Sequence, residues 1–151
     1  MGRYPRIVLG TIVLGASILG ASALATAGEA FVVVANPSIQ GTNVRRADLA
    51  AVFLKKAVRW GDGSPANPVD QSGTSPVRRQ FSDSVLQMPV SVVVQYWQKQ
   101  LLSGSGPSKV PIVKGSDDEV LAYVARTNGA VGYVSSGTTL PERVKTVTII
   151  E

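Results

Sequence analysis

The chain has 151 residues, enough for one folded domain and short for two, with 15 basic and 10 acidic side chains and neither Cys nor His. The absence of Cys and His removes thiol nucleophiles, disulfides, Ser-His-Asp machinery and nearly all zinc and copper sites. The acids are mostly single and sit in turn or helix-start contexts, so no metal site, no cofactor and no enzymatic activity are expected.

Residues 1–27 read as an export signal. Arg3 and Arg6 form a basic start, residues 7–24 are apolar and rich in Gly and Ala, and Ala25-Thr26-Ala27 is a small-x-small cleavage site. The competing reading is an uncleaved membrane anchor, for which the run is near the lower length limit and diluted by Gly and Ser. Either way the folded part is expected outside the cytoplasm, periplasmic or secreted, and no Cys follows the run to carry a lipid. Cleavage before Gly28 leaves a domain of 124 residues, 28–151, with 13 basic and 10 acidic side chains. The pairs Arg45-Arg46, Lys55-Lys56 and Arg78-Arg79 are scattered and lack interleaved aromatics, so no nucleic-acid partner is expected. A mild positive field favours small anions.

Residues 31–35 (FVVVA) form a continuous apolar, β-branched run, the pattern of a strand covered on both faces. Residues 44–47 lead into a helix whose apolar positions are Leu49, Val52 and Phe53, and Asp62-Gly63 marks a tight turn. A short strand is expected around Val69. After Met88-Pro89 a second helix carries Val93, Tyr96, Trp97 and Leu101 on its inner face, followed by an exposed loop at 104–107 and a short strand at 110–113. Ser116 with Glu119 three residues later is a capping box, and Asp117 and Asp118 in the first turn suit the helix dipole. That explains the one acidic cluster without a metal. Val120, Leu121, Val124 and Ala125 form the apolar face of this helix, and Asn128-Gly129 stops it. Residues 130–134 (AVGYV) are a strand with an internal Gly, which signals close backbone approach, and 144–150 an alternating last strand. The order of strands and helices predicts an α/β sandwich with a parallel or mixed sheet.

The stretch 67–86 organises the rest. Ser75 before Pro76 is a strong helix start, and Val77, Phe81 and Val85 at four-residue spacing give that helix an apolar face. The polar turn Gln71, Ser72, Gly73, Thr74 lies just ahead of the helix's free N–H groups, where hydroxyls complete an anion site. The plainer reading is a capped helix with Gly in the turn.

The strings FVVVANPS (31–38), ADLAAVFLKKAVRWGDGSP (47–65), SGTSPVRRQF (72–81) and GAVGYV (129–134), in this order, resemble the phosphate-binding, PstS-like solute-binding proteins of ABC transporters. In that family the second string reads IF.G....W.DG, the third R...SGT...F, and the fourth G.IGYV. The resemblance implies a three-layer α/β sandwich with a mixed sheet, one lobe of a type 2 periplasmic-binding-protein-like fold. It also implies inorganic phosphate or a similar anion as ligand, an ABC permease as partner, and Gln71, Ser72, Gly73, Thr74, Ser75 and Arg78 as binding residues. Matching by letters puts the family's Ser-Gly-Thr on Ser72-Gly73-Thr74 and its phosphate-clamping Arg on Pro68. Matching by the buried aromatic Phe81 puts Ser-Gly-Thr on Ser75-Pro76-Val77 and the Arg on Gln71. Both registers lose the bidentate guanidinium, and Arg78 is the candidate replacement.

Family members have two lobes and this chain has room for one, so a second copy or an envelope protein is expected to complete any cleft. The alternative to a binder is a ligand-free periplasmic adaptor that keeps the fold and exposes an apolar face to a partner, with Trp60, Val90 and Leu140 as candidate contributors.

Overall fold

The computed structural model describes residues 30–104 and 110–151. The expected export segment and most of the loop expected at 104–107 lie outside the described residues. In chain order the elements are β1 (Phe31–Ala35), β2 (Asn43–Arg45), α1 (Arg46–Phe53), β3 (Asn67–Gln71), α2 (Pro76–Phe81), α3 (Val90–Ser103), β4 (Ile112–Lys114), α4 (Asp117–Arg126), β5 (Ala130–Ser135) and β6 (Lys145–Ile150), with a π-helical turn, Ser82–Leu86, continuing α2.

The six strands form one mixed sheet in the order β2-β6-β1-β5-β3-β4. β1 lies antiparallel to both β5 and β6, whereas β3 runs parallel to β5 and β4. Alternation along each strand sorts side chains to two faces. Phe31, Val33 and Ala35 of β1 and Val131 and Tyr133 of β5 pack with Leu49, Val52 and Phe53 of α1, Phe81 of α2 and Val93 of α3. The opposite face sets Val34, Val69 and Val134 against Val120, Leu121 and Val124 of α4. Helices cover both faces, so the arrangement is the expected three-layer α/β sandwich with a mixed sheet.

The aromatic centre of the first face is tight. Phe81 stacks on Tyr133 with ring centroids 3.9 Å apart and planes within 6°, and Phe31 meets Phe81 edge-on at 5.6 Å. On the other face Gly132 lets β5 approach α4, as the internal Gly of AVGYV led us to expect. Asn36 is buried and donates to the carbonyl of Val124 at 2.8 Å, closing the end of α4.

Three local expectations shift. A short strand, β2, precedes α1, because Val44 pairs in parallel with Ile149; three residues are too few to show a period. The central helix is not uniform over 76–86. After Phe81 it widens into the π turn, where buried Ser82 donates to the Met88 carbonyl at 2.8 Å and Gln87 takes a left-handed φ of 54°. The strand expected at 110–113 pairs over Ile112–Lys114, one edge of which is the margin of the sheet.

Gly132→Ala is expected to destabilise the chain by about 1–3 kcal/mol, because a Cβ there would lie 2.7 Å from Val69 Cγ1 and 2.8 Å from Val120 Cγ1. Gly61→Ala, with nothing within 4 Å of its Cβ, should stay within about 0.5 kcal/mol. Urea unfolding followed by circular dichroism compares the two.

Candidate functional site

The parallel strands β3, β4 and β5 end at one pole of the sheet, and the loops and helix starts that follow β3 and β4 meet there. This is the crevice at the carboxyl ends of strands where open α/β sheets hold ligands. Period-two alternation decides what β3 delivers to it. Val69 faces α4, Asp70 faces α2, and Gln71 faces α4 again.

Asp70 is buried and forms an ion pair with Arg78, whose Nε lies 2.9 Å from Asp70 Oδ1. The Tyr133 hydroxyl donates to the same carboxylate oxygen and accepts from the Gln71 N–H at 3.1 Å. Burial pushes the Asp70 carboxyl above its usual range, against the opposing pull of Arg78 and the Tyr133 hydroxyl. Burial and the neighbouring carboxylate drive the Tyr133 phenol far upward, so it stays protonated and donates. Arg78 is only 4% exposed, and its Nη1 is buried without a hydrogen-bond partner among the described residues. A buried polar atom left unpaired is uncommon and calls for an explanation.

Gln71 is occupied within the protein. Its side-chain N–H groups donate to Asp117 Oδ1 at 2.8 Å and to the Tyr133 carbonyl at 2.9 Å, and its carbonyl accepts from the Ser75 hydroxyl at 2.9 Å. Ser75 also caps α2 by accepting from the Arg78 N–H at 3.4 Å, as its position before Pro76 led us to expect. Asp117 does more than suit a helix dipole. It also accepts from the Ser135 N–H at 3.1 Å and from the Thr138 hydroxyl, tying β3, β5 and α4 together. Desolvation pushes its carboxyl up, but the bonds from Ser135, Gln71 and Thr138 outweigh that and hold it below its usual range.

Of the six candidate residues, the structure brings all to one loop and helix turn but divides their roles. Gln71, Ser75 and Arg78 are held in internal bonds, whereas Ser72, Gly73 and Thr74 form the surface of the loop. The Ser72 and Thr74 hydroxyls lie 3.1 Å apart, and among the described residues nothing accepts from the N–H groups of Gly73 and Thr74. Sequence reading passed over Asp70 and Tyr133. Counting by twos from the buried Val69 is the signal that would have set Asp70 and Gln71 on opposite faces.

Beside the loop a cavity of about 300 Å³ opens between α2, α3 and β4, lined by Gly73 and Arg78 and by apolar side chains including Trp97, Val110 and Val113. A larger cavity of about 610 Å³ lies beside α1 at the β2–β6 side of the sheet, and none of the six candidates lines it. No group of His, Cys, Asp or Glu among the described residues could hold a metal ion. Leu101, expected on the inner face of α3, is 61% exposed, because α3 touches the body through Val93, Tyr96 and Trp97. Trp60, Val90 and Leu140, expected on an exposed face, are half-buried. The large exposed apolar side chains among the described residues are instead Val92, Val94, Leu101 and Leu102 of α3, Val110, Ile112 and Val113 at β4, and, elsewhere, Val58 and Ile150.

Asp70→Asn leaves the buried Arg78 charge without its counter-ion and is expected to cost about 3–5 kcal/mol. The Asp70→Leu/Arg78→Met double variant should recover most of that loss in urea unfolding. Asp117 bears on pH. Its carboxyl titrates lower in the folded chain than in the unfolded one, so its contribution is present above the unfolded value of about 3.9 and is lost as pH falls through the lower folded value. Asp117→Asn should flatten that part of the acid limb, read as urea midpoints between about pH 5 and pH 2.

No protein-family model and no curated protein matches this chain. Solved structures do. An ABC-type phosphate transport receptor from Vibrio cholerae matches with a TM-score of 0.60 and 18% identity, over 80% of this chain and 46% of that one. PstS from Borrelia burgdorferi matches with a TM-score of 0.61 and 16% identity, over 80% and 47%. A Clostridium perfringens protein, assigned as a phosphate ABC transporter substrate-binding protein and solved with bound phosphate, matches with a TM-score of 0.59 and 12% identity, over 80% and 44%. The chain therefore spans less than half the length of these neighbours, and its fold is that of a single lobe of the PstS-like phosphate-transport receptors.

Proposed function

We propose that this chain is an exported, periplasmic or secreted solute-binding lobe that takes a small oxyanion, phosphate first among candidates, and serves an ABC-type permease. The observation that carries the reading is the 72–75 loop. It sits at the carboxyl end of β3, in the crevice such folds use, and it carries one half-exposed and one exposed hydroxyl and backbone N–H groups with no internal acceptor among the described residues. A solved neighbour of the same fold holds phosphate.

The charge balance argues for weak binding by the lobe alone. Arg78 shares its charge with Asp70, so an anion at the loop meets mainly neutral donors. A dissociation constant in the millimolar range, about −4 kcal/mol, is expected. A second lobe, from another copy or another envelope protein, would add donors and exclude water.

A second reading has its own observation. The exposed apolar side chains Val94 and Leu101 of α3 and Val110 and Val113 beside the edge strand β4 line one cavity, and exposed apolar patches mark partner surfaces. On that reading the chain is an adaptor that keeps the fold without the ligand.

Titration calorimetry of the chain with phosphate, with sulfate as control, separates the two. The binder gives saturable heat that weakens at least several-fold in Ser72→Ala/Thr74→Val, a change confined to exposed or half-exposed hydroxyls. Ser75→Ala is a poorer probe, because its loss removes the α2 cap and costs about 1 kcal/mol of stability by itself. Absence of heat at millimolar phosphate, together with self-association in light scattering, would transfer the conclusion to the adaptor.

A further inference from the structure

Resting on the oxyanion-binding reading, we infer that the solute is an amphiphilic anion, an oxyanion carrying a short alkyl or aryl body, and not inorganic phosphate alone. The inference comes from the cavity beside the loop. Gly73 belongs to both the loop and the cavity wall, and Arg78 lines the same wall, so the cavity borders the loop whose donors include its neighbours Ser72 and Thr74. Arg78 is almost fully buried there, with Nη1 unpartnered among the described residues. Asp70, the ion-pair partner of Arg78, and Gln71 lie at the same end, Gln98 is the other polar side chain of the wall, and the remainder is apolar. Val90, Val94, Trp97, Leu101, Val110 and Val113 present apolar surface around about 300 Å³.

A bare phosphate needs none of this lining. It would occupy a small part of the volume and leave the remainder to water held against apolar walls, which offer water no partners. A cavity near 300 Å³ with convergent polar groups at one end and apolar walls elsewhere has the dimensions and lining of a small organic ligand's site. Apart from Trp97, which packs against the core, the apolar residues that line it belong to no core cluster. Leu101 and Val113 are 61% and 58% exposed and pack against no buried cluster. Their apolar surface faces the space where a ligand's body would lie. The oxyanion end then takes the loop N–H groups and the Ser72 and Thr74 hydroxyls, beside the Arg78 whose charge Asp70 shares, and the body runs toward Trp97 and Leu101.

The test titrates the chain with inorganic phosphate, hexyl phosphate, phenyl phosphate and hexanol, and repeats the series on Leu101→Asn and Val94→Asn. Both side chains are exposed, and circular dichroism checks that the variants fold. The expected result is hexyl phosphate binding about tenfold or more tighter than inorganic phosphate, from burial of its methylenes, with most of that advantage lost in both variants. Equal saturable binding of inorganic and hexyl phosphate would overturn the inference and leave the oxyanion reading standing. Hexanol binding as tightly as hexyl phosphate would also overturn it, assigning the cavity to apolar contact alone. Absence of binding by every phosphate would overturn the inference and the oxyanion reading together.

Discussion

Tyr133 is held from two directions by a single turn of helix, and the site's geometry depends on that grip. Its ring stacks on Phe81 while its hydroxyl donates to Asp70, which pairs with Arg78. Arg78 and Phe81 stand three residues apart, so they project from the same face of α2. The strand β5, the strand β3 and the helix α2 are thereby locked in one register. A buried ion pair contributes little net stability, because desolvating both charges offsets their attraction. Its effect is positional: sliding α2 would separate two charges in an apolar surround, whereas sliding an all-apolar helix would exchange one contact for another.

That lock decides what the loop between β3 and α2 can offer. The arginine nearest the loop is turned inward and shared with a carboxylate, and Gln71 and Ser75 are occupied by each other and by Asp117. What remains outward is a short run of hydroxyls and backbone N–H groups. A site built from neutral donors discriminates by shape and hydrogen-bond geometry more than by charge. The adjoining apolar cavity supplies shape, and the exposed α3–β4 margin supplies surface that another chain or lobe could cover.

The likeness to phosphate-transport receptors is one of fold, at 12–18% identity and across less than half of each neighbour. In this chain the buried arginine at the end of β3 is Arg78, from the first turns of α2, and the strand positions Pro68 and Gln71 carry no guanidinium. Pro68 has no side-chain donor to give, and Gln71 points to the opposite face of the sheet from Asp70.

Local order determined much of this protein. β-branched runs at 31–35 and 130–134, the Ser75-Pro76 and Ser116 helix starts, and the Gly129 stop are short-range features, and each acts within one turn or one strand. The structure has them where they were expected. The three-layer class followed from alternation of elements, since strands separated by helices must cover a sheet on both faces. The tertiary structure decided the rest. The parallel pairing of Val44 with Ile149 joins residues over a hundred positions apart, and no local pattern encodes it. The division of the six candidate residues into three held in internal bonds and three at the surface depends on Asp117 and Tyr133, which reach Gln71 only when β5 and α4 close over β3. Residue type alone announced donors for an anion; packing set which of them face outward, because a hydrogen bond satisfied inside the fold is not offered to a ligand.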